Sequence, residues 1–347
     1  MIDLNDAESL KKLDPQDTIG STRLLPEQFK GAWGQINDLK LPQIKNIDKV
    51  VFCGMGASIY GGLVVKAVLG TFFPYPVEVV TDYHLPDYVN RSTLVVLTSY
   101  SGTTEEVLSC AEDGLKKNVK MLILTQGGQL AEFAKKNSVP AYIFDGKLNP
   151  SSVPRLGNGY SILGLIGLLY KTGIININEK EIGEGTALLS EKLNQVQDRA
   201  KKDALALVKK TPIVIAAEHL TGNAQIMRNQ FNETSKTFSS YFLIPDLNHH
   251  LMEGLKFPVP SDLVFIFLNS KLYSSKIAAR ITLTKEVIQQ NNHSIMEFEV
   301  SGKNKYADFM EASLYSSYVT LYLGLLYEQN PATNPYVDYF KEQLKKL

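Results

Sequence analysis

Leu94-Val95-Val96-Leu97-Thr98-Ser99-Tyr100-Ser101-Gly102-Thr103-Thr104-Glu105-Glu106 is an apolar run that stops at a crowd of hydroxyls. Four branched residues in a row read as a buried strand. The residues after them read as a turn into a helix: Thr103 and Glu106 have capping-box spacing, and Val107, Ala111 and Leu115 recur every fourth residue, with Leu108 widening the stripe. A loop entering a helix offers unpaired backbone N–H groups and a positive dipole end. Here five Ser and Thr hydroxyls add donors without adding charge, which suits a phosphate.

The strand-then-helix rhythm extends in both directions. Upstream lie Val50-Val51-Phe52-Cys53 and Val77-Glu78-Val79-Val80; downstream lie Met121-Leu122-Ile123-Leu124 and a shorter run, Ala141-Tyr142-Ile143-Phe144. A helix from Ile162 to Tyr170 closes this half, and a charged helical stretch from Ile177 to about Lys210 reads as a linker. The rhythm then resumes. Pro212 to Ala217 and Asp262 to Leu268 read as strands, and Gly222 to Phe231 and Ser274 to Gln290 as helices. Alternation of this kind belongs to parallel sheets covered by helices. The expected organisation is α/β with a polar extension over residues 1–47, a first lobe over 48–175, the linker over 176–210 and a second lobe over 211–347.

Composition bounds the partners. The 347 residues are 44% hydrophobic, enough to bury two cores, and Lys plus Arg equals Asp plus Glu at 36 each. No basic surplus points to nucleic acid, so any anion selectivity must be local. No basic helix-turn-helix segment precedes the first lobe. Cys53 and Cys110 each sit in an apolar segment, which fits small core residues in a reducing compartment. The first residues lack a leader pattern and no apolar run approaches the ~20 residues of a membrane span, so the cytoplasm is the expected location.

A second turn strengthens the anion reading. Gly54-Met55-Gly56-Ala57-Ser58 follows the first strand, with glycines that let backbone approach a ligand and a serine placed to cap the next helix. It lacks the spacing of a dinucleotide fingerprint and the Lys-Ser or Lys-Thr ending of a Walker A loop.

Together, Gly54-Met55-Gly56-Ala57-Ser58 and Ser99-Tyr100-Ser101-Gly102-Thr103-Thr104-Glu105-Glu106 resemble the sugar isomerase (SIS) domain, a flavodoxin-like fold that binds phosphosugars. Further segments resemble the bifunctional phosphoglucose/phosphomannose isomerases: Pro154-Arg155 with Gly159-Tyr160, Asn232-Glu233-Thr234-Ser235-Lys236, Pro245-Asp246-Leu247-Asn248-His249-His250, and Pro335 to Lys341. The resemblance covers nearly the whole chain and implies two SIS lobes of parallel-sheet, three-layer build.

It also implies an aldose–ketose isomerisation of glucose 6-phosphate and fructose 6-phosphate, with mannose 6-phosphate as a second substrate, through a cis-enediol. Carried over position by position, Gly56, Ala57, Ser58, Ser99, Ser101 and Thr104 would hold the phosphate. Glu233 would move the proton, Arg155 would face the enediolate oxygens, and His249 with Lys341 would open the sugar ring. Asn334 stands where the family places a residue tied to mannose use. No cofactor is implied, and a homodimer is, with His249 reaching the site across the subunit interface. Ala57 replaces a usual glycine and His250 a usual asparagine. The competing expectations are a phosphosugar sensor without turnover, an aminosugar-phosphate isomerase, and a metal site at His249, His250 and Glu253.

Overall fold

A computed structural model describes residues 2–259, 262–344 and 346. Two parallel sheets organise the chain. The first contains β1 (Lys49–Cys53), β2 (Val77–Val80), β3 (Thr93–Ser99), β4 (Lys120–Thr125) and β5 (Ala141–Ile143) in the order β2-β1-β3-β4-β5. The second contains β6 (Thr211–Ala217), β7 (Ser240–Ile244), β8 (Leu263–Asn269) and β9 (Ser294–Glu299) in the order β7-β6-β8-β9. In each, the first strand is flanked by the next two in sequence, so the order in which strands are added reverses beside β1 and beside β6. Ligands of open α/β sheets collect at the carboxyl ends of such strands.

The central strand β3 is buried along its whole length, which explains its unbroken apolar reading. Val50, Phe52, Leu94, Val96, Leu122 and Leu124 face one core, and Val51, Cys53, Val95, Leu97 and Ile123 face the other, the period of two expected for a pleat. The first core continues into the second sheet, where Val214, Ile215, Phe265 and Phe267 are buried.

The helices that cover these faces begin before the first strand. Residues 2–47 do not form a polar extension: α1 (Ala7–Leu13), α2 (Thr18–Arg23) and α3 (Leu25–Asn37) pack on the body, and α3 buries Leu25, Phe29, Ala32 and Ile36 on one face. Gln28 is fully buried and its amide donates to the carbonyls of Leu148 and Leu156 at 3.0 and 2.9 Å. In the first lobe follow α4 (Tyr60–Leu69), α5 (Glu105–Lys116), α6 (Gly128–Lys136) and α7 (Gly164–Lys171), the last preceded by one wider turn over 159–163. The long α8 (Glu179–Ala206) is capped by Asn178, and α9 (Thr221–Glu233), α10 (Ser275–Gln290), α11 (Lys305–Leu326) and α12 (Pro335–Leu344) complete the chain.

Two local expectations are corrected. The helix after β3 starts one residue later than the capping box requires: Thr104 is the N-cap, without a side-chain cap bond, and the buried stripe is Val107, Cys110, Ala111 and Gly114, while Leu115 is exposed. The hydroxyls of this turn bond to one another instead. Ser58 does not cap α4 either; its Oγ accepts from the Tyr100 N–H at 2.9 Å, tying the two glycine-rich turns together. Both cysteines are buried thiols.

Candidate functional site

The two turns lie side by side at the carboxyl ends of β1 and β3. Ser99 Oγ and Thr104 Oγ1 are 2.7 Å apart, and the Gly102 N–H donates to Ser99 Oγ at 3.0 Å. Ser101 Oγ lies 3.0 Å from Thr103 Oγ1. Gly102 has φ +72°, and a Cβ there would lie 1.8 Å from the Gly127 carbonyl oxygen, so only glycine fits. Gly56 has φ +53° and opens the short helical turn Gly56–Ile59, in which Ala57 and Ser58 are buried. Each phosphate-binding candidate therefore sits at this edge, beside the N-terminus of α5, whose first N–H groups have no side-chain cap.

The turn Gly56–Ile59 packs against the short turn Pro154–Leu156 and against α9. That contact places Arg155 beside the end of α9. Arg155 is almost fully buried, and burial pulls its guanidinium below its ordinary range while the charge of Glu233 opposes the shift. Its Nη1 stands 3.6 Å from Glu233 Oε2, its Nε donates to Thr234 Oγ1 at 3.0 Å, and its Nη2 donates to the carbonyls of Pro331 and Ala332. A buried cation with one carboxylate and several carbonyl partners is held in one geometry. Glu233 ends α9 and keeps a third of its side chain exposed, so solvent reaches its carboxylate. Tyr60, fully buried at the start of α4, has its hydroxyl pKa raised by burial and then by the nearby Glu233 charge.

Asn334 belongs to the same cluster. With its amide oriented by its hydrogen-bonding partners, the oxygen accepts from Arg155 Nη1 at 3.0 Å and the nitrogen donates to the carbonyls of Glu233 at 3.1 Å and Thr333 at 2.8 Å. Sequence reasoning passed over one neighbour, Lys236, although it closes the Asn-Glu-x-x-Lys segment. Its Nζ donates to the carbonyls of Glu233 and Asn330, both at 2.9 Å, and of Thr234 at 3.3 Å.

His249 and Lys341 stand apart from this cluster. Asn232, near the end of α9, donates to the Ser239 carbonyl where β7 is about to begin, and Tyr241 reaches back to Gln225. The chain thus runs back along α9, leaving His249 exposed beyond the helix end opposite Glu233, in the short turn Asp246–His249. His250 pairs with Asp246 at 3.4 Å. Among the described residues no group of three His, Cys, Asp or Glu side chains could hold a metal ion. Lys341 lies on α12, which has no buried residue and exposes Tyr336, Tyr339 and Phe340.

A cavity of about 720 Å³ opens elsewhere, between α4, the start of α9 and β7, and no candidate residue lines it. Donor chemistry, not cavity size, locates the site. No helix among the described residues is long and apolar enough to cross a membrane.

Known proteins resemble this chain over most of its length. Residues 196–344 match the family model described as the bacterial phospho-glucose isomerase C-terminal SIS domain. Among solved structures, a hypothetical protein from Thermus thermophilus superposes with a TM-score of 0.73 at 17% identity, covering 98% of this chain and 93% of that one. Glucosamine-6-phosphate deaminase from Thermotoga maritima superposes with a TM-score of 0.67 at 15% identity, covering 91% and 97%. At these identities the likeness shows the fold: α/β, with two lobes of SIS type. A bifunctional phosphoglucose/phosphomannose isomerase from Aquifex aeolicus is 27% identical over 303 residues, 86% of this chain and 90% of that protein. Its counterpart from Caldicellulosiruptor bescii is 30% identical over 338 residues, 93% of this chain and 97% of that protein. Matched end to end at that level, and carrying the motifs on the elements just described, the chain belongs to the bifunctional phosphoglucose/phosphomannose isomerase family.

Proposed function

We propose that this chain interconverts glucose 6-phosphate and fructose 6-phosphate, takes mannose 6-phosphate as a second aldose, and works as a homodimer in the cytoplasm. The observation that carries this reading is the pair of Glu233 and buried Arg155, 3.6 Å apart, next to the hydroxyl-lined turns of β1 and β3.

The phosphate would rest on Ser58, Ser99, Ser101 and Thr104 and on the N–H groups around Gly56, Ala57 and the start of α5. Hydrogen bonds to a charged group are worth roughly 1.5–3 kcal/mol each, so a few anchor the sugar before chemistry begins. Anchoring fixes C1 and C2 relative to Glu233 at little further entropic cost. Glu233 takes the proton from C2 of the aldose, so that the C–H pair becomes the C1–C2 double bond and the carbonyl pair passes to O1. The C2 hydroxyl proton then passes to O1, the O2 pair closes the C2 carbonyl, and the double-bond pair takes the proton back from Glu233 at C1 to leave the ketose. Arg155 opposes the charge on the enediolate oxygens. Asn334, held against both residues, is assigned the choice between the two aldoses.

Ring opening needs an acid and a base, assigned to Lys341 and His249. Within one chain His249 lies beyond the far end of α9, and the twelve steps from Thr221 to Glu233 alone span ~18 Å. The partner subunit's His249 is therefore the one that serves the site, and the exposed aromatics Phe238, Phe257, Tyr336 and Phe340 fit a contact between copies.

The test is isomerisation of fructose 6-phosphate, read for both aldoses, with Glu233→Gln alongside. The variant should bind phosphosugar nearly as well and turn over at least ~10²-fold more slowly. Near-normal turnover would remove Glu233 from the mechanism, and binding without turnover by the parent would make the protein a sensor. For the dimer, mixing inactive Glu233→Gln and His249→Ala chains should regenerate activity, since one of the two mixed sites is intact; no recovery would place both residues in one chain's site.

A further inference from the structure

Resting on that reading, we propose that Lys236 is a positioning residue of the isomerisation: its ammonium joins the end of the helix that presents Glu233 to the 330–334 segment that carries Asn334. The bonds are specific. Helix α9 ends with carbonyls that have no partner within the helix, and Lys236 Nζ reaches those of Glu233 and Thr234. The same nitrogen reaches the Asn330 carbonyl, ninety-four positions later in the chain. Three acceptors meet the three donors of an ammonium group, so no N–H is left over for another partner.

The next carbonyls along that segment, of Pro331 and Ala332, are taken by Arg155, and Asn334 closes the ring by bonding both Arg155 and the Glu233 carbonyl. Two cations thus grip consecutive carbonyls of the strip leading from α11 into α12, the helix of Lys341. Lys236 has φ +56°, a left-handed conformation in which Gly or Asn would sit with less strain. Without Lys236, Arg155 still holds Pro331 and Ala332 and Asn334 still bonds the Glu233 carbonyl, but nothing ties the end of α9 to the Asn330 carbonyl. The base would then lose its set direction toward C1 and C2 while the phosphate turns stay intact.

The charged groups facing Lys236 are Arg155, from the turn between β5 and α7, and Glu233, from α9. Burial first, and then Arg155, bring its pKa down to about 8, against the opposing pull of Glu233. Above that pH a neutral amine has only two donors for three carbonyls.

The experiment compares Lys236→Met and Lys236→Arg with the parent enzyme, using fructose 6-phosphate across pH 6.5 to 9.5 (roughly spanning the lysine's titration). Lys236→Met should lower kcat by about 10-fold with KM within about twofold and with an unchanged melting temperature, because the loss is one of alignment. Lys236→Arg should recover most of the kcat. It should also remove any decline in kcat above pH 8, since a guanidinium stays protonated there. Parent-like kcat in Lys236→Met overturns the proposal. So does a joint fall of kcat and melting temperature, or failure of Arg to rescue. If Glu233→Gln keeps its turnover, the reading of the site fails first, whatever Lys236 does.

Discussion

The two lobes present the same edge of the same kind of sheet, and fill it with opposite chemistry. In the first, the strand at the reversal ends in a turn opened by Gly56 at φ +53°, and its neighbour ends in the hydroxyls of residues 99–104. In the second, the turn after β6 is opened by Glu218 at φ +43°, and β8 ends in Ser270 and Ser274. Glu218 reaches across so that its carboxylate accepts from the Ser274 hydroxyl at 2.6 Å and from the Ser274 N–H at 3.3 Å, at the N-terminus of α10. Behind it, the fully buried Asp308 accepts from Ser270 Oγ at 2.5 Å and pairs with His219 at 2.9 Å. At the start of α5 the hydroxyls of the first lobe bond one another, with no carboxylate among them; in the second lobe Glu218 takes the N-cap residue of α10, and Asp308 takes the serine at the end of β8. The fold supplies the place in both; residues in the turns decide whether a ligand is needed there.

The strongest way to break this contrast is to give the first lobe what the second has. Gly56→Glu would set a carboxylate on the phosphate turn, and a like charge ~4 Å from the substrate phosphate costs about 4 kcal/mol at an effective dielectric near 20. KM for fructose 6-phosphate should rise at least ~10²-fold, and adding inorganic phosphate should no longer inhibit. The control is Gly56→Ala. A Cβ at residue 56 has nothing within 4 Å, so this change carries only the backbone cost of a left-handed residue, roughly 1–3 kcal/mol of stability. If the two variants bind phosphosugar alike, the phosphate does not rest on this turn.

How far the sequence carried is explained by what each segment faces. The strands β1, β3, β4, β6 and β8 were legible because burial on both faces makes their apolar runs continuous, and the edge strand β2 was legible from its three valines although it is half exposed. β7 and β9 were not, because as edge strands of the second sheet they are half exposed: Ser294-Ile295-Met296-Glu297-Phe298-Glu299 shows no run and no clean alternation. The opposite failure hid α11. Every residue from Tyr306 to Leu326 is buried, so there is no polar face to contrast with an apolar one, and Ser and Tyr break up what would otherwise read as a hydrophobic run. The opening helices were missed through composition; Phe29, Ala32 and Ile36 do keep helical spacing, among residues that are otherwise polar. For the candidate site, Glu233, Arg155 and Asn334 lie together beside the two turns. Lys236 and the gathering of the 330–334 carbonyls could not be read, since they depend on a contact between segments far apart in the chain and on backbone atoms that carry no sequence signal.

The smaller test works from the other lobe. Glu218→Ala removes the carboxylate bonded to Ser274, the N-cap residue of α10, and loss of such a contact at a helix start costs about 1 kcal/mol, which should lower the melting temperature by roughly 2 °C in a chain of this size. If Glu218 stands in for an anion, the vacated N-terminus should accept one. Millimolar inorganic phosphate, with the substrate site already saturated by fructose 6-phosphate, should then restore part of the lost melting temperature in Glu218→Ala and leave the parent unmoved. Turnover should be unchanged in both, because Glu218 lies beside the start of α9 and Glu233 ends it, so the edit is made at the opposite end of that helix from the base. A fall in kcat/KM comparable to that of Gly56→Glu would mean that substrate draws on both sheet edges, and the division of labour between the lobes would be wrong.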